Sequence, residues 1–243
     1  MPEIGALPRI QLRLAAPAAL PLVEARQVTR AFQVAGQTVT AVRDVSLQIR
    51  AGDRVALLGT SGSGKSTLLH LLGSLDTPTS GSVAWPSLGD GQDLRPGKVA
   101  FVFQAQSLIP PLTALENVAL PLLLKGDTPG AAQQEAAAWL ERLELLPLAD
   151  HLPEELSGGQ AQRVAVARAL VTHPRLILAD EPTGQLDSAT AQHLLDVLLT
   201  ALDPNAALVM ATHDPDVARR LDTIWRMQDG QLVSVTRRQE EAS

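Results

Sequence analysis

The chain has 243 residues, 45% of them hydrophobic, with 20 Lys and Arg against 26 Asp and Glu for a net charge of −6. A chain of this size hides roughly three quarters of its unfolded surface, so one domain, or one carrying an inserted subdomain, is expected. The acidic balance argues against a protein whose main work is holding nucleic-acid phosphates, and the absence of cysteine excludes disulfide scaffolds, zinc-thiolate sites and cysteine nucleophiles.

The mean hydropathy of +0.08 raises the question of a membrane span. The best apolar stretch, 14–23, is short and broken by Pro17 and Pro21, where a spanning helix needs about 20 apolar residues. Nor does it have the charge pattern or cleavage site of a signal peptide. Residues 1–21 are therefore expected to form a loose arm of a cytoplasmic protein.

Two runs then read as strands, over 22–34 and over 39–49, the second with Val45, Leu47 and Ile49 in alternation. After a turn at 51–53, Val55–Leu58 is a short apolar run of the kind that fills a buried parallel strand. Glycines follow at once, and leucines at 68, 69, 71, 72 and 75 predict a helix over 65–75. Strands are predicted over 81–85 and 98–103, separated by a turn-rich stretch with Pro86, Gly89, Gly91, Pro96 and Gly97. Helices over 113–124 and 131–146 read as a helical insertion. Next come a helix over 160–171, the apolar strand 176–179, a helix over 189–202, a strand over 207–211 and a short helix near 216–221. A hairpin turning at Asp229 and Gly230 closes the chain. Strands alternating with helices give an α/β fold with a mostly parallel sheet.

Gly59, Thr60, Ser61, Gly62, Ser63, Gly64, Lys65 and Ser66 fit the phosphate-binding pattern G-x-x-x-x-G-K-[ST] between a buried strand and a helix. The glycines let backbone N–H groups curl around phosphate oxygens, the helix presents its positive end, and Lys65 adds a full charge. The Ser66 hydroxyl can hold Mg²⁺, and Thr67 follows it in the same helix turn. At the end of the strand 176–179, Asp180 is placed to hold the ion through water, and Glu181, pointing to the other side, to polarise the attacking water.

A third element, Ser157, Gly158, Gly159 and Gln160, immediately precedes or opens the helix that carries Arg163 and Arg168. Ser157 is a good N-cap, and the glycines expose N–H groups at a positive helix end. This second anion site is surplus to one nucleotide, which suggests a second copy whose nucleotide it completes.

With these motifs in this order, from about residue 22 to residue 235, the chain resembles the ATPase subunit of an ABC transporter. The resemblance implies a phosphate-loop ATPase core with an N-terminal antiparallel β subdomain and a helical subdomain at about 105–160. The ATPase domain spans 22–236, and 237–243 form a tail. It implies that Phe32 stacks on adenine and that Gln104 senses Mg²⁺ and the attacking water. Ser157, Gly158 and Gly159 contact the γ-phosphate held by the opposite copy, Asp187 couples the two sites, and His213 contacts the γ-phosphate and positions Glu181. Two copies close over two Mg-ATP. The run Leu108–Leu124 either receives a cytoplasmic helix of a membrane subunit or fills the helical subdomain, and both hold if they use different faces. The protein is then peripheral on the inner face of the cell membrane, with no nucleic-acid partner.

The stretches 101–118, 161–170 and 179–188 are similar to the bacterial subgroup that contains the lipoprotein-release, macrolide-exporter and cell-division ATPases, whose membrane subunit is here expected to be separate. The subgroup has a longer segment than 86–97 before the strand leading to Gln104, which leaves open which membrane subunit the chain fits. A soluble ABC-type ATPase acting on DNA or the ribosome is the alternative. A GTPase is disfavoured by the lack of an N-K-x-D motif.

Overall fold

The computed structural model describes residues 19–104, 107–184 and 186–238; most of the expected N-terminal arm, Gln185 and the end of the tail lie outside them. Strands β1 (Val23–Val34) and β2 (Gln37–Ile49) pair antiparallel, and β4 (Ser80–Ala84) adds to β1, giving a three-stranded sheet of order β2-β1-β4. The second sheet has six strands in the order β5-β6-β7-β3-β8-β9. These are β3 (Arg54–Leu58), β5 (Val99–Val102), β6 (Leu176–Asp180), β7 (Ala207–Thr212), β8 (Thr223–Gln228) and β9 (Gln231–Arg237). All run parallel except β9, which turns back on β8 at Asp229 and Gly230.

The apolar runs explain this order. In β3, β6 and β7 nearly every residue is buried, as a strand covered on both faces requires. Val55, Leu57, Leu178 and Val209 pack on one side with the helix α1 (Lys65–Leu72), and Ala56, Ile177, Leu208 and Met210 on the other with the remaining helices. The pairing Leu58 with Thr212 and Asp180 with Ala211 aligns the C-terminal ends of β3, β7 and β6, the edge at which parallel α/β sheets bind ligands.

Between β5 and β6 lie α2 (Ala114–Lys125), α3 (Pro129–Arg142) and α4 (Gly158–Leu170). Thr113, Thr128 and Ser157 cap them, each accepting from a backbone N–H of the first turn. The helix expected over 131–146 starts and ends earlier, because Thr128 and Pro129 supply the cap and first position and Glu144 adopts φ +59°. Helix α5 (Ser188–Ala201) and the single turn α6 (Pro215–Ala218) complete the fold.

The segment 86–97, expected as a simple turn, is a strap fastened to the core. Leu88 and Leu94 are buried, Lys98 Nζ donates to Leu88 O at 2.8 Å, and Arg175 Nη1 donates to Ser87 O at 2.7 Å. Arg95 donates to Gly73 O and, at 3.0 Å, to Ser74 O.

Candidate functional site

The loop after β3 is shaped by its glycines. Gly64 caps α1 with φ +99°, and a Cβ there would lie 2.0 Å from Ala41 O. A Cβ on Gly59 would meet Met227 O at 2.4 Å and Ser63 Oγ at 2.6 Å. The hairpin turn buttresses the loop from behind, Gly230 N donating to Ser63 O at 3.1 Å. The first N–H groups of α1 and of the loop are thus held in a fixed curve, the arrangement that cradles phosphate.

Lys65 is only 5% exposed. Its Nζ donates to Gly59 O at 2.9 Å and Thr60 O at 3.0 Å and lies 3.2 Å from Glu181 Oε1. The other carboxylate oxygen, Oε2, is 3.1 Å from His213 Nδ1. The Glu181 backbone has φ +44°, a left-handed conformation that costs a non-glycine residue about 1 kcal/mol or more and clusters at functional sites. It persists because Glu181 N donates to Ala211 O at 3.0 Å and Gly184 N closes back on Glu181 O at 3.0 Å. Gln104 joins this group, its Nε2 lying 3.4 Å from the place a Cβ on Gly184 would take. Gly59, Thr60, Ser61, Glu181 and His213 line one open cavity of about 990 Å³, together with Arg226, Gln228 and Val233.

Asp180 Oδ1 is buried with no hydrogen-bond partner. An orphaned carboxylate oxygen beside a phosphate cradle fits a hard divalent ion, and Ser66, Gln104 and Asp180 offer the oxygen donors Mg²⁺ prefers. Among the described residues no cluster of three or more His, Asp or Glu could hold a metal ion unaided. That is the expected situation for Mg²⁺, which takes one or two carboxylates, waters and substrate phosphates rather than a protein cage.

The second group of residues stands apart from this cavity. Ser157 accepts from Gln160 N at 3.3 Å, and Gln160 Oε1 accepts from Ser157 N at 2.7 Å, a reciprocal cap that fixes the start of α4. A Cβ on Gly159 would meet Thr190 Cγ2 at 2.6 Å. Thr190 in turn donates from Oγ1 to Asp187 Oδ2 at 2.6 Å, while Asp187 Oδ1 accepts from Ala189 N and Thr190 N. The Thr190 hydroxyl, first, and these backbone bonds hold the Asp187 carboxyl below its ordinary range. Ser157, Gly158, Gly159 and Asp187 therefore belong to one unit with the N-termini of α4 and α5. Arg163 and Arg168 do not join it: Arg163 donates to Leu143 O and Arg168 to Ser107 O. Phe32 also lies outside the cavity, half-buried on β1 opposite Val39, with the Arg30 guanidinium 4.5 Å over its ring.

The run 108–124 divides between two faces. Leu108, Val118 and Leu122 are buried in the core, whereas Leu123 and Leu124 are exposed. Pro110 and Pro111 also face outward. Beside it lies a groove of about 380 Å³ between Arg95–Gly97 and Val99–Phe101 on one side and Leu120, Pro121 and Leu124 on the other. Sequence reasoning missed the buried Asn117 and Gln162, which bind the backbone at Ile109 and Phe103; a polar residue on an otherwise apolar helix face was the signal for both. No described helix is long and apolar enough to cross a membrane.

Residues 42–184 match the ABC transporter family. The chain is 44% identical over 221 residues to the lipoprotein-releasing system ATP-binding protein LolD of Legionella pneumophila (strain Lens), which covers 88% of this chain and 97% of the relative. With the protein of that name from Pseudomonas fluorescens it shares 45% over 224 residues, 88% of this chain and 98% of the relative. Among solved structures, the ATP-binding cassette MJ0796, described as dimeric, post-hydrolysis and bound to ADP and Pi, aligns at a TM-score of 0.81 with 39% identity, covering 89% of this chain and 98% of that one. On its motifs, its fold and these likenesses, the chain belongs to the ABC transporter family, as an ATP-binding subunit.

Proposed function

We propose that the chain is the ATP-hydrolysing subunit of a lipoprotein-release transporter, acting as a pair of copies on a membrane subunit. The observation that carries the hydrolytic reading is Glu181, held between Lys65 and His213 at the sheet edge. The names of the relatives support the branch of the family.

In this reading the phosphate loop, from Gly59 to Thr67, holds the phosphates of ATP, and the adenine extends past the edge of the cavity to Phe32, on the ring face that Arg30 leaves open. Lys65 exchanges its two loop carbonyls for phosphate oxygens. When bound beside Asp180, Ser66 and Gln104, Mg²⁺ supplies charge neutralisation on the phosphates. Glu181 accepts a proton from the attacking water, and His213 orients Glu181 from the opposite side. Lys65 and the helix N-terminus stabilise the charge that develops on the leaving group.

The chain's own Ser157–Gly159 and Asp187 lie outside this cavity. They serve the nucleotide of the second copy, which supports a head-to-tail pair. The groove at Leu120–Leu124 suits an amphipathic cytoplasmic helix of the membrane subunit, because edge strand β5, Leu120, Pro121 and Leu124 line it with apolar surface while Arg95 and Arg168 offer cations beside them. This seats the protein on the inner face of the membrane. ATP turnover by the chain alone and reconstituted with a candidate membrane subunit tests the reading. Turnover that responds to the membrane subunit is expected, and turnover that responds instead to DNA or ribosomes overturns it.

A further inference from the structure

Phe32 is tied to the phosphate-binding unit from two directions. On one side β2 lies against the loop, since a Cβ on Gly64 would come 2.0 Å from Ala41 O. The residues just before Ala41, Val39 and Thr40, pair with Phe32 and Ala31 of β1. The ring therefore stands one strand away from the phosphate cradle.

On the other side, the chain that leaves α1 returns along β1. Leu75 N donates to His70 O at 2.8 Å, which closes the helix. Asp76 Oδ2 then accepts from Arg30 Nε at 2.8 Å, Thr79 N donates to Thr29 O at 2.8 Å, and Thr79 Oγ1 accepts from Ala31 N at 3.0 Å. Thr29, Arg30 and Ala31 are thus all gripped by the segment that follows the phosphate-loop helix. The register of β1 on β2 shifts on both sides of Arg30, an irregularity of the kind that re-aims side chains. Here it lays the Arg30 guanidinium over the Phe32 ring, Cζ 4.5 Å from the centroid. The Arg30 and Asp76 side chains are only 24% and 23% exposed, so their attraction is screened less than that of a surface pair.

The cation changes what the ring can do. With one face covered, a base can stack only on the other. A cation draws the π density of a ring toward itself, which leaves the opposite face less negative and lowers its repulsion with the face of a purine. A ring that is already held also gives up less freedom when a base settles on it.

We propose that Arg30, held by Asp76, is a positioning residue for the nucleotide base: it fixes and polarises Phe32 so that the ring takes a purine on its open face, in a set relation to the phosphate loop. The proposal rests on the reading above in which Phe32 receives the adenine, and adds to it the ion pair that prepares the ring. Arg30 and Asp76 act through the ring rather than on the nucleotide.

Calorimetric titrations with ADP and with inorganic pyrophosphate separate the base from the phosphates. Arg30→Met keeps the length of the side chain and removes its charge; it is made in the wild-type chain and again beside Phe32→Ala. The expected result is an ADP affinity lowered about threefold to tenfold by Arg30→Met and about tenfold or more by Phe32→Ala, with pyrophosphate affinity within about twofold of wild type in both. Adding Arg30→Met to Phe32→Ala is expected to cause no further loss, because the cation then has no ring to act through. Asp76→Asn, which removes the ion pair while keeping a side-chain acceptor for Thr77 N, takes the place of Arg30→Met in the same cycle should that variant fail to fold. Losses that add in the double variant, or an equal loss of pyrophosphate affinity, are the behaviour of a merely structural pair and overturn the proposal. Wild-type ADP affinity in folded Arg30→Met beside a weakened Phe32→Ala overturns the proposal alone and leaves the adenine reading standing. Wild-type ADP affinity in Phe32→Ala defeats the adenine reading, and the proposal with it.

Discussion

His213 Nδ1 lies 3.1 Å from Glu181 Oε2, while the other oxygen of the same carboxylate lies 3.2 Å from Lys65 Nζ. With its proton on Nδ1 the imidazole donates to Glu181 and leaves Nε2 free to face the cavity. Glu181 is thereby fixed on both oxygens although its own backbone is in a left-handed conformation. His213→Ala removes one of these restraints and a side chain that lines the cavity. ATP turnover is expected to fall about 10²-fold, the usual share of a positioned proton-transfer system, with ADP affinity little changed. Turnover within twofold of wild type would show that Lys65 alone orients the base.

The phosphate loop depends on Gly64 more than on its other glycines. Its φ of +99° and the 2.0 Å approach of a Cβ to Ala41 O leave no room for a side chain against backbone. Gly64→Ala is expected to abolish ATP binding and to lower stability by more than the ~1 kcal/mol of conformational strain alone. Gly62→Ala, at φ +79° but in open space, carries only the strain. Calorimetric ATP titration and thermal melts of the pair separate the two effects; equal losses at both positions would remove the steric explanation.

Asp187 caps α5 through Ala189 N and Thr190 N. Replacing it with Ala is expected to lower stability, because the first N–H groups of α5 lose their side-chain acceptor. The carboxyl is held below its ordinary value of 3.8, so its stabilisation is present above that value and is lost as the pH falls through the lowered folded one. Urea melts of wild type and Asp187→Ala should therefore differ at neutral pH and converge only on the strongly acid side. Convergence already at neutral pH would show that the cap contributes nothing.

Leu124 is 68% exposed at the rim of the groove beside β5. Leu124→Asp is expected to leave the melting temperature unchanged, because nothing in the core is disturbed, and to prevent copurification with the membrane subunit. Retained copurification by a folded variant places the docking surface elsewhere.

Much of this arrangement was legible because its signals are local. The loop 59–66, the apolar runs that became β3, β6 and β7, and the Ser157 cap each declare themselves within a few residues. The separation of Ser157–Gly159 from the cavity followed from the surplus of anion sites over nucleotides. What could not be read were polar contacts across the fold. Gln162 to Phe103 and Arg168 to Ser107 join residues about 60 positions apart, and nothing in the spacing along α4 points to either partner. The strap 86–97 was similarly opaque, because the burial of Leu88 and Leu94 depends on cations at Arg95, Lys98 and Arg175 reaching its carbonyls or its neighbours. The end of α3 was missed because Leu143 and Leu145 continue the apolar pattern while Glu144 leaves the helical region.

The central claim is that Glu181 is the base of an ATP site completed by a second copy. Sedimentation of Glu181→Gln with and without Mg-ATP, beside its turnover, tests this most directly. The account predicts a monomer that becomes a stable dimer on ATP, with turnover reduced about 10²–10⁴-fold. A variant that stays monomeric with ATP bound, or that hydrolyses at the wild-type rate, would contradict it.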